Sequence, residues 1–422
     1  MMTSEGRSGA PMATARPRTP LPPPPVVPTP ADLAEHARPG PPVVRPDPDP
    51  HHVRVTFRWT PPPGAPAPRR VWLDLNGVTD RAHLDAAWTR PTADGAGHHL
   101  TLRLPSTLRA SYAYLPLHGD PPARPTGDRT AERRWWLDLL AHAETDPHAG
   151  EQLPATGWRG PRSVLTLPAA APSDWLDAPG DLPAPEQLHL ATLDDPARTL
   201  WLHRTPPGPG DRAHDPAHRP LVLLLDGQVW LRAMPLSAAV DALVRAGRLP
   251  PLLLAGLDAV DPARRERDLT APGRLAGALR RDVLPALAAR TGWRPHPART
   301  VLAGQSYGGL AAFRTAVEDP ATAARALCQS GSFWVPGAAD LAERAPTAGD
   351  WRAVLQHGTR EGHLTAAARS VRERLAVRGA RCSVQEVEGG HDHAWWRASL
   401  LDGLQQLLGA RAPRVGRPGP TA

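Results

Sequence analysis

The segment at residues 304–309 carries the strongest chemical signal in the sequence. It reads Gly-Gln-Ser-Tyr-Gly-Gly and lies between a short apolar run at 300–303 and a segment with helical periodicity. Glycines on both sides of Ser306 permit a sharp turn from a strand into a helix, and such a turn presents the serine hydroxyl as a nucleophile. The backbone N–H of Tyr307 would then face a developing oxyanion. The alternative is an ordinary turn in which the serine caps the helix.

A serine nucleophile of this kind needs an acid and a histidine base further along the chain, in that order. His391 is the best base because it stands in a Gly-Gly-His loop just after the strand-like segment 382–387. Glu361 follows the strand-like segment 351–356 and is the preferred acid, which would orient the imidazole and stabilise the imidazolium. Asp392 is the competitor, although its adjacency to His391 makes the required contact awkward. A solvated histidine and a surface carboxylate are the alternatives.

The loop after the apolar run at 221–225 can supply a second oxyanion donor. It reads Asp-Gly-Gln, and the backbone N–H of either Gly227 or Gln228 could donate beside that of Tyr307. The spacing of this loop, the serine turn and the histidine loop predicts an acyl-transfer site.

Two different patterns predict the elements that position these residues. From about residue 53 to 116, short runs alternate apolar and polar side chains between Pro, Gly and Asp clusters, which predicts a small β-sandwich. From residue 187 a hairpin leads into uniformly apolar strands that alternate with helices, which predicts a mostly parallel sheet covered by helices on both faces. We therefore expect an α/β hydrolase domain preceded by a small β-sandwich.

Composition sets the expected domain boundaries. The 422 residues include 54 prolines, which cluster at the N-terminus and in an irregular stretch at 117–185 that holds one predicted helix near 131–142. A Pro-rich segment favours polyproline II and cannot bury a core. The chain is thus predicted to divide into a disordered tail, a β-sandwich, a catalytic domain and a second disordered tail, at 1–50, 51–170, 185–410 and 411–422.

Charge and composition exclude several classes of function. All 49 basic residues are arginines, yet a net charge of +7 over this length is modest, and no compact basic stripe indicates nucleic acid. No apolar run is long enough for a membrane span, and no signal-peptide pattern opens the chain, so we expect a cytoplasmic protein. His391, Asp392 and His393 could suggest a metal site, but no matching ligand cluster lies nearby in sequence.

Taken together, the motifs resemble those of the enterochelin (ferric enterobactin) esterase family, which are esterase-D-like α/β-hydrolases with a β-rich N-terminal domain. The resemblance spans residues 53–408. Besides the serine turn, it rests on segments 70–72, 77–80, 225–230, 234–235, 257–261 with Arg265, 329–334, 358–361, 389–392 and 396–397.

The resemblance implies a cytoplasmic serine esterase that cleaves the ester bonds of a cyclic tri-ester siderophore after import. Iron would enter only with the substrate, and no cofactor is implied. The substrate would be an anionic ferric tri-catecholate, which arginines can pair with and tryptophan faces can contact. The candidate contacts are Trp230, Arg265, Trp334 and Trp396, although tryptophans beside motifs are more often core residues.

Two other functions stay open. One is an esterase of acetylated or feruloylated carbohydrate in which the β-sandwich acts as the binding module. The other is a non-catalytic binding homologue that keeps the serine turn without turnover.

Overall fold

The computed structural model describes residue 26 and residues 40–80, 83–156, 159–177, 182–209 and 215–409. Most of the predicted first tail and all of the predicted second tail at 411–422 lie outside the described residues. Within the described part of the chain, no helix is long and apolar enough to cross a membrane.

The N-terminal region is built from two four-stranded sheets. Strand β2 buries Val53, Val55, Phe57 and Trp59 on its alternate positions, and these side chains join one apolar cluster with residues of the other sheet such as Leu73. The sheet orders are β1-β2-β5-β4 and β3-β6-β8-β7. The strands are β1 Val43–Pro46, β2 His52–Trp59, β3 Arg70–Leu75, β4 Arg90–Pro91, β5 His98–Pro105, β6 Arg109–Leu117, β7 Gln152–Leu153 and β8 Arg162–Thr166.

Strand β1 corrects the prediction that residues 1–50 form a disordered tail. Val43 to Pro46 pair antiparallel with β2, in the register Val43 to Thr56. Two β-branched valines favour a strand here, and a proline is tolerated because β1 is an edge strand. Strands β7 and β8 likewise fall in the stretch 117–185 that the composition marked as irregular.

An eight-stranded mixed sheet forms the C-terminal region, in the order β16-β15-β14-β13-β11-β12-β10-β9. Six neighbouring strands run parallel, and the predicted hairpin adds β10 antiparallel to β12 at one edge. The strands are β9 Glu186–Thr192, β10 Asp195–Arg204, β11 Leu221–Leu225, β12 Leu253–Leu257, β13 Thr300–Gln305, β14 Arg325–Gln329, β15 Arg352–Gly358 and β16 Cys382–Val387.

Helices cover both faces of this sheet, because its central strands are apolar on both sides. Val222 and Leu224 pack on one face with Leu404, whereas Leu223 and Leu225 pack on the other with other helices. The helices are α1 Arg129–Leu140, α2 Ser237–Arg245, α3 Pro262–Thr270, α4 Arg274–Ala278, α5 Leu284–Thr291, α6 Tyr307–Glu318, α7 Leu341–Arg344, α8 His363–Arg378 and α9 His393–Leu408. Helix α1, near the predicted 131–142, belongs to the N-terminal region.

Candidate active site

Ser306 occupies a strained turn between β13 and α6. Its φ is 58°, which only a tightly constrained turn imposes on a residue with a side chain. A Cβ at Gly304 would lie 2.6 Å from the carbonyl oxygen of Gly308, so the turn has no room there for a larger residue. The hydroxyl oxygen of Ser306 lies 3.3 Å from that of Ser332. Helix α6 begins at Tyr307, directly after the serine.

His391 and Glu361 come together on the loops that follow β16 and β15. The Glu361 Oε1 atom lies 3.3 Å from Nδ1 of His391, and the glutamate is buried while the imidazole is 27% exposed. The imidazole stands edge-on to the indole of Trp396, with ring centroids 4.7 Å apart. The structure therefore places a carboxylate beside a partly exposed imidazole at the edge of the sheet where Ser306 also lies.

Ser330, which the sequence analysis did not single out, links these groups. Its hydroxyl donates to Glu361 Oε1 at 2.5 Å and accepts from the indole N–H of Trp396 at 2.7 Å. The next residues of the same loop reach the nucleophile, since the N–H of Ser332 donates to the carbonyl oxygen of Ser306 at 3.1 Å. The Gln-Ser-Gly-Ser segment after β14 was the available signal for this loop.

Asp392, the competing acid, is engaged elsewhere. Its Oδ1 accepts from the N–H of Ala394 at 3.1 Å and caps α9, and its Oδ2 accepts from the N–H of Ser111 at 2.5 Å. Both carboxylate oxygens thus already hold backbone donors. The geometry favours Glu361 over Asp392 as the partner of the imidazole.

The predicted oxyanion loop, residues 226–228, lies against β12. A Cβ at Gly227 would stand 2.5 Å from the carbonyl oxygen of Gly256, so only glycine fits this approach. Asp226 has a φ of 59° and accepts two hydrogen bonds from the Arg265 guanidinium, at 2.7 and 2.6 Å. The same guanidinium donates to the carbonyl oxygen of Gln305 at 3.1 Å. Burial opposes the charge of Arg265, but the Asp226 carboxylate outweighs it and raises the arginine pKa.

These contacts bear differently on two predicted substrate contacts: Trp230 is buried, which corrects that prediction, whereas Arg265 is partly exposed and stays a prediction. Arg265 connects the oxyanion loop to the strand before Ser306, so its guanidinium holds the framework of the site. Trp230 is only 1% exposed, and its indole donates to the side chain of Gln305 at 2.8 Å. Proximity to a motif in sequence did not reveal that these side chains already have partners inside the protein.

The other two predicted tryptophans differ in their exposure to solvent. Trp396 is 3% exposed and packs against the imidazole of His391. Trp334 is 44% exposed, and its ring centroid lies 6.0 Å from that of Tyr307 and 6.1 Å from that of His363. Trp334 is therefore the predicted substrate contact that the structure leaves open to solvent.

A row of four glutamines lies beneath the site. Gln305, Gln329, Gln356 and Gln385 stand at matching positions on β13 to β16, and each amide donates to the next, at 2.7, 2.8 and 2.6 Å. The amides of Gln329 and Gln356 also donate to backbone carbonyl oxygens of α9. This glutamine row connects the strands that precede the serine, Ser330 and Glu361 to the helix that follows the histidine loop.

His393 belongs to the segment that the sequence analysis weighed as a metal site. Its ring packs near the indoles of Trp230 and Trp396, with centroid distances of 5.7 and 5.0 Å. Burial, followed by the nearby Arg159 charge, lowers the pKa of His393 well below its usual range. Among the residues that the structure describes, no three metal-binding side chains are grouped to hold an ion.

The structure places a serine on a strained strand-to-helix turn and a histidine–glutamate pair on loops at the carboxyl ends of neighbouring parallel strands, which is an arrangement typical of ester hydrolases. Comparisons with known proteins agree. Residues 54–176 match the family model described as "Enterochelin esterase, N-terminal", and residues 214–407 match the one described as "Putative esterase". The protein is therefore a carboxylic-ester hydrolase.

Individual relatives are similar over most of their length. An iron(III) enterobactin esterase of Dickeya dadantii is 32% identical over 416 residues, covering 90% of this chain and 93% of the relative. The crystal structure of ferric enterobactin esterase from Salmonella typhimurium covers 88% of this chain and 97% of its own, with a TM-score of 0.76 at 29% identity. That of the Shigella flexneri enterobactin esterase in the presence of enterobactin covers the same shares, with a TM-score of 0.76 at 27% identity. The chain belongs to the enterochelin (enterobactin) esterase family.

Proposed function

We propose that this protein hydrolyses the ester bonds of a ferric tri-catecholate tri-lactone siderophore in the cytoplasm and so helps to release its iron. The observation that carries the proposal is the match to iron(III) enterobactin esterases across both the β-rich region and the large sheet. Iron enters as part of the substrate, and the reaction needs no cofactor. We also propose that residues near 185–410 form an α/β hydrolase domain and that a small β-sandwich precedes it. The predicted bounds of this sandwich, 51–170, then extend back to include β1.

The reaction follows from the side chains already described. The Ser306 hydroxyl attacks the ester carbonyl carbon while His391 takes its proton, and Glu361 stabilises the imidazolium. The backbone N–H groups of Gly227 and Tyr307 stabilise the oxyanion. The protonated His391 then gives its proton to the departing alcohol oxygen, which leaves an acyl-enzyme. Water, deprotonated by His391, attacks this ester and releases the carboxylic acid and free Ser306.

The substrate contact that we propose is the exposed ring of Trp334. Together with Tyr307 and His363, it forms an aromatic rim beside the nucleophile. A catecholate ring can stack on such a surface, because aromatic faces pair in offset or tilted geometries. Trp396 contributes through His391 rather than through the substrate.

Mass spectrometry of products tests the proposal. The protein is incubated with a ferric cyclic tri-catecholate tri-lactone, and we expect linear trimer, dimer or monomer acids. Ser306→Ala should form none, since loss of the nucleophile removes most of the rate enhancement, on the order of 10⁶-fold in a serine hydrolase. The matched control is Ser383→Ala on β16. The Ser383 hydroxyl donates to the side chain of Gln406 on the surface, so this variant should form the same products as the parent.

The two rival functions give different results. Intact siderophore together with turnover of a feruloyl or acetyl sugar ester would identify a carbohydrate esterase. Siderophore binding without products and without labelling of Ser306 by a fluorophosphonate would identify a binding homologue. Full-length relatives that are named siderophore esterases make both less favoured.

A further inference from the structure

The loop that carries His391 is wedged against the β-rich N-terminal region. This histidine loop, residues 389–392, meets the turn after β3 at Asn76 and Gly77. Gly77 has a φ of +74°, and a Cβ there would lie 2.8 Å from the Cα of Gly390. A Cβ at Gly390 would lie 2.9 Å from the Cα of Gly77. The two backbones therefore touch, and neither position has room for a side chain.

Side chains of the N-terminal region also hold the peptide group that follows the imidazole. The carbonyl oxygen of His391 accepts from the Asn76 amide at 3.4 Å and from the Arg159 guanidinium at 3.3 Å. The orientation of this peptide group sets the direction in which the imidazole leaves the backbone. Two donors from loops of the N-terminal region thus restrict that direction.

Two contacts from strand β6 hold the loop at its two ends. The Ser111 N–H on strand β6 donates to Asp392 Oδ2, and the Arg109 N–H donates to the carbonyl oxygen of Glu388 at 3.4 Å. From within the C-terminal region, the Trp395 indole donates to the carbonyl oxygen of Gly390 at 2.6 Å. The loop is therefore clamped between the two regions on both sides of His391.

We propose that the N-terminal region is part of the catalytic centre, in which Asn76 and the Ser111–Asp392 contact are positioning groups for the His391 imidazole. This inference rests on the proposed function, since it assumes that His391 is the base. It assigns Asp392 a role other than that of the triad acid. It also gives the β-rich region a task besides any contact with substrate.

Two variants each remove one contact of the histidine loop with the N-terminal region, and neither removes a proposed catalytic group. We call these contacts, Asn76 with the His391 carbonyl oxygen and Ser111 with Asp392, the clamp. Asn76→Ala loses one donor to the His391 carbonyl oxygen. Asp392→Asn keeps a good helix cap but turns one acceptor into a donor that faces the Ser111 N–H. The matched control is Asp128→Asn at the cap of α1, where the side chain accepts from the N–H groups of Thr130 and Ala131 in the first turn of its own helix.

Steady-state kinetics with a small p-nitrophenyl ester provide the first readout. Loss of one hydrogen bond that orients the base should lower kcat about 5- to 10-fold in each clamp variant, with little change in KM. Asp128→Asn should keep the parent kcat. An unchanged kcat in both clamp variants would overturn the proposal.

A double-mutant cycle with Glu361→Gln separates positioning from a general structural effect. If the clamp acts by aiming the imidazole at Glu361, its loss should change the rate of fluorophosphonate labelling less than about twofold once Glu361 is replaced. Equal losses in both backgrounds would mean an independent structural effect and would contradict the proposal. Full activity of Glu361→Gln itself would instead contradict the assignment of Glu361 as the acid, and only the absence of siderophore products would contradict the proposed function.

Discussion

Ser330 contacts both Glu361 and Trp396, the two side chains that lie against the His391 imidazole. It has a φ of 48°, and its one hydroxyl donates to Glu361 and accepts from Trp396. The hydroxyl holds the carboxylate that faces His391 and, through the indole, the surface against which the imidazole packs. The Ser330 hydroxyl oxygen thus forms hydrogen bonds with both side chains that contact the imidazole.

Removing the Ser330 hydroxyl should therefore slow the reaction. A hydrogen bond to a charged group contributes about 1.5–3 kcal/mol, so Ser330→Ala should lower kcat by about 10- to 100-fold. Ser330→Gly also lacks the hydroxyl but adopts the positive φ without strain. Equal losses in the two variants, measured as kcat on the same ester, would assign the effect to the hydroxyl. A loss in Ser330→Ala alone would assign it to the backbone.

The sequence could predict candidate site residues where their neighbours in the chain determine the local structure. The glycines around Ser306 and before His391 mark turns that the neighbouring residues alone require. Ser330 could not be found in this way, because its partners lie 31 and 66 residues away along the chain. Trp230 was predicted incorrectly as a substrate contact for the same reason, since burial and partners depend on tertiary packing.

At the scale of secondary structure, the glutamine row holds the carboxyl ends of β13 to β16 in fixed positions relative to one another. The Gln329 side chain accepts from Gln305 and donates both to Gln356 and to the carbonyl oxygen of Trp396. Amides buried in a sheet must be fully paired, and here each residue pairs its neighbour. The row therefore connects the strand before Ser306 to the helix after His391.

Replacing the second glutamine of the row should be costly. Gln329→Leu leaves the Gln305 amide, the Gln356 carbonyl oxygen and a helix carbonyl oxygen without their partner. At 1–3 kcal/mol for each buried unpaired group, partly relieved by relaxation, we expect a loss of about 2–4 kcal/mol in the free energy of unfolding. Denaturant titration measures this loss. Gln187→Leu on the exposed edge strand β9 is the control, and a similar loss there would contradict the argument.

Most elements could be predicted because their periodicity is strong. The buried strands of the large sheet read as continuous apolar runs, and β11 has the predicted bounds, Leu221–Leu225. Strand β1 was missed because four residues with a proline at the end carry little periodic signal. Strand β1 is stabilised by pairing with β2, and the composition of residues 1–50 contains no information about that pairing.

For the molecule as a whole, buried histidines make stability depend on pH. Burial lowers the pKa of His357, which lies beneath the site on β15, and burial lowers that of His393. In the unfolded chain these groups take up protons near pH 6.5. The folded protein takes them up only at lower pH. The unfolded state thus binds more protons as the pH falls below about 6.5, and stability decreases.

This dependence should appear in thermal unfolding. The Tm should fall as the pH is lowered from about 7 to 5, with a smaller slope in His357→Gln, which has no imidazole to protonate. His189→Gln on the exposed strand β9 should keep the parent slope. Calorimetry at several pH values gives both slopes. Parallel curves for the parent and His357→Gln would exclude His357 as a cause.

The contact between the turn after β3 and the histidine loop joins residues 315 positions apart. A chain made from its N-terminus exposes Asn76 long before His391 exists, and closing so long a loop costs conformational entropy that only a folded partner can offset. The β-rich region is thus the earlier-made surface against which the loop of His391 packs. The surroundings of His391 are in this sense completed late in biosynthesis, when a segment near residue 390 packs against one made near residue 76.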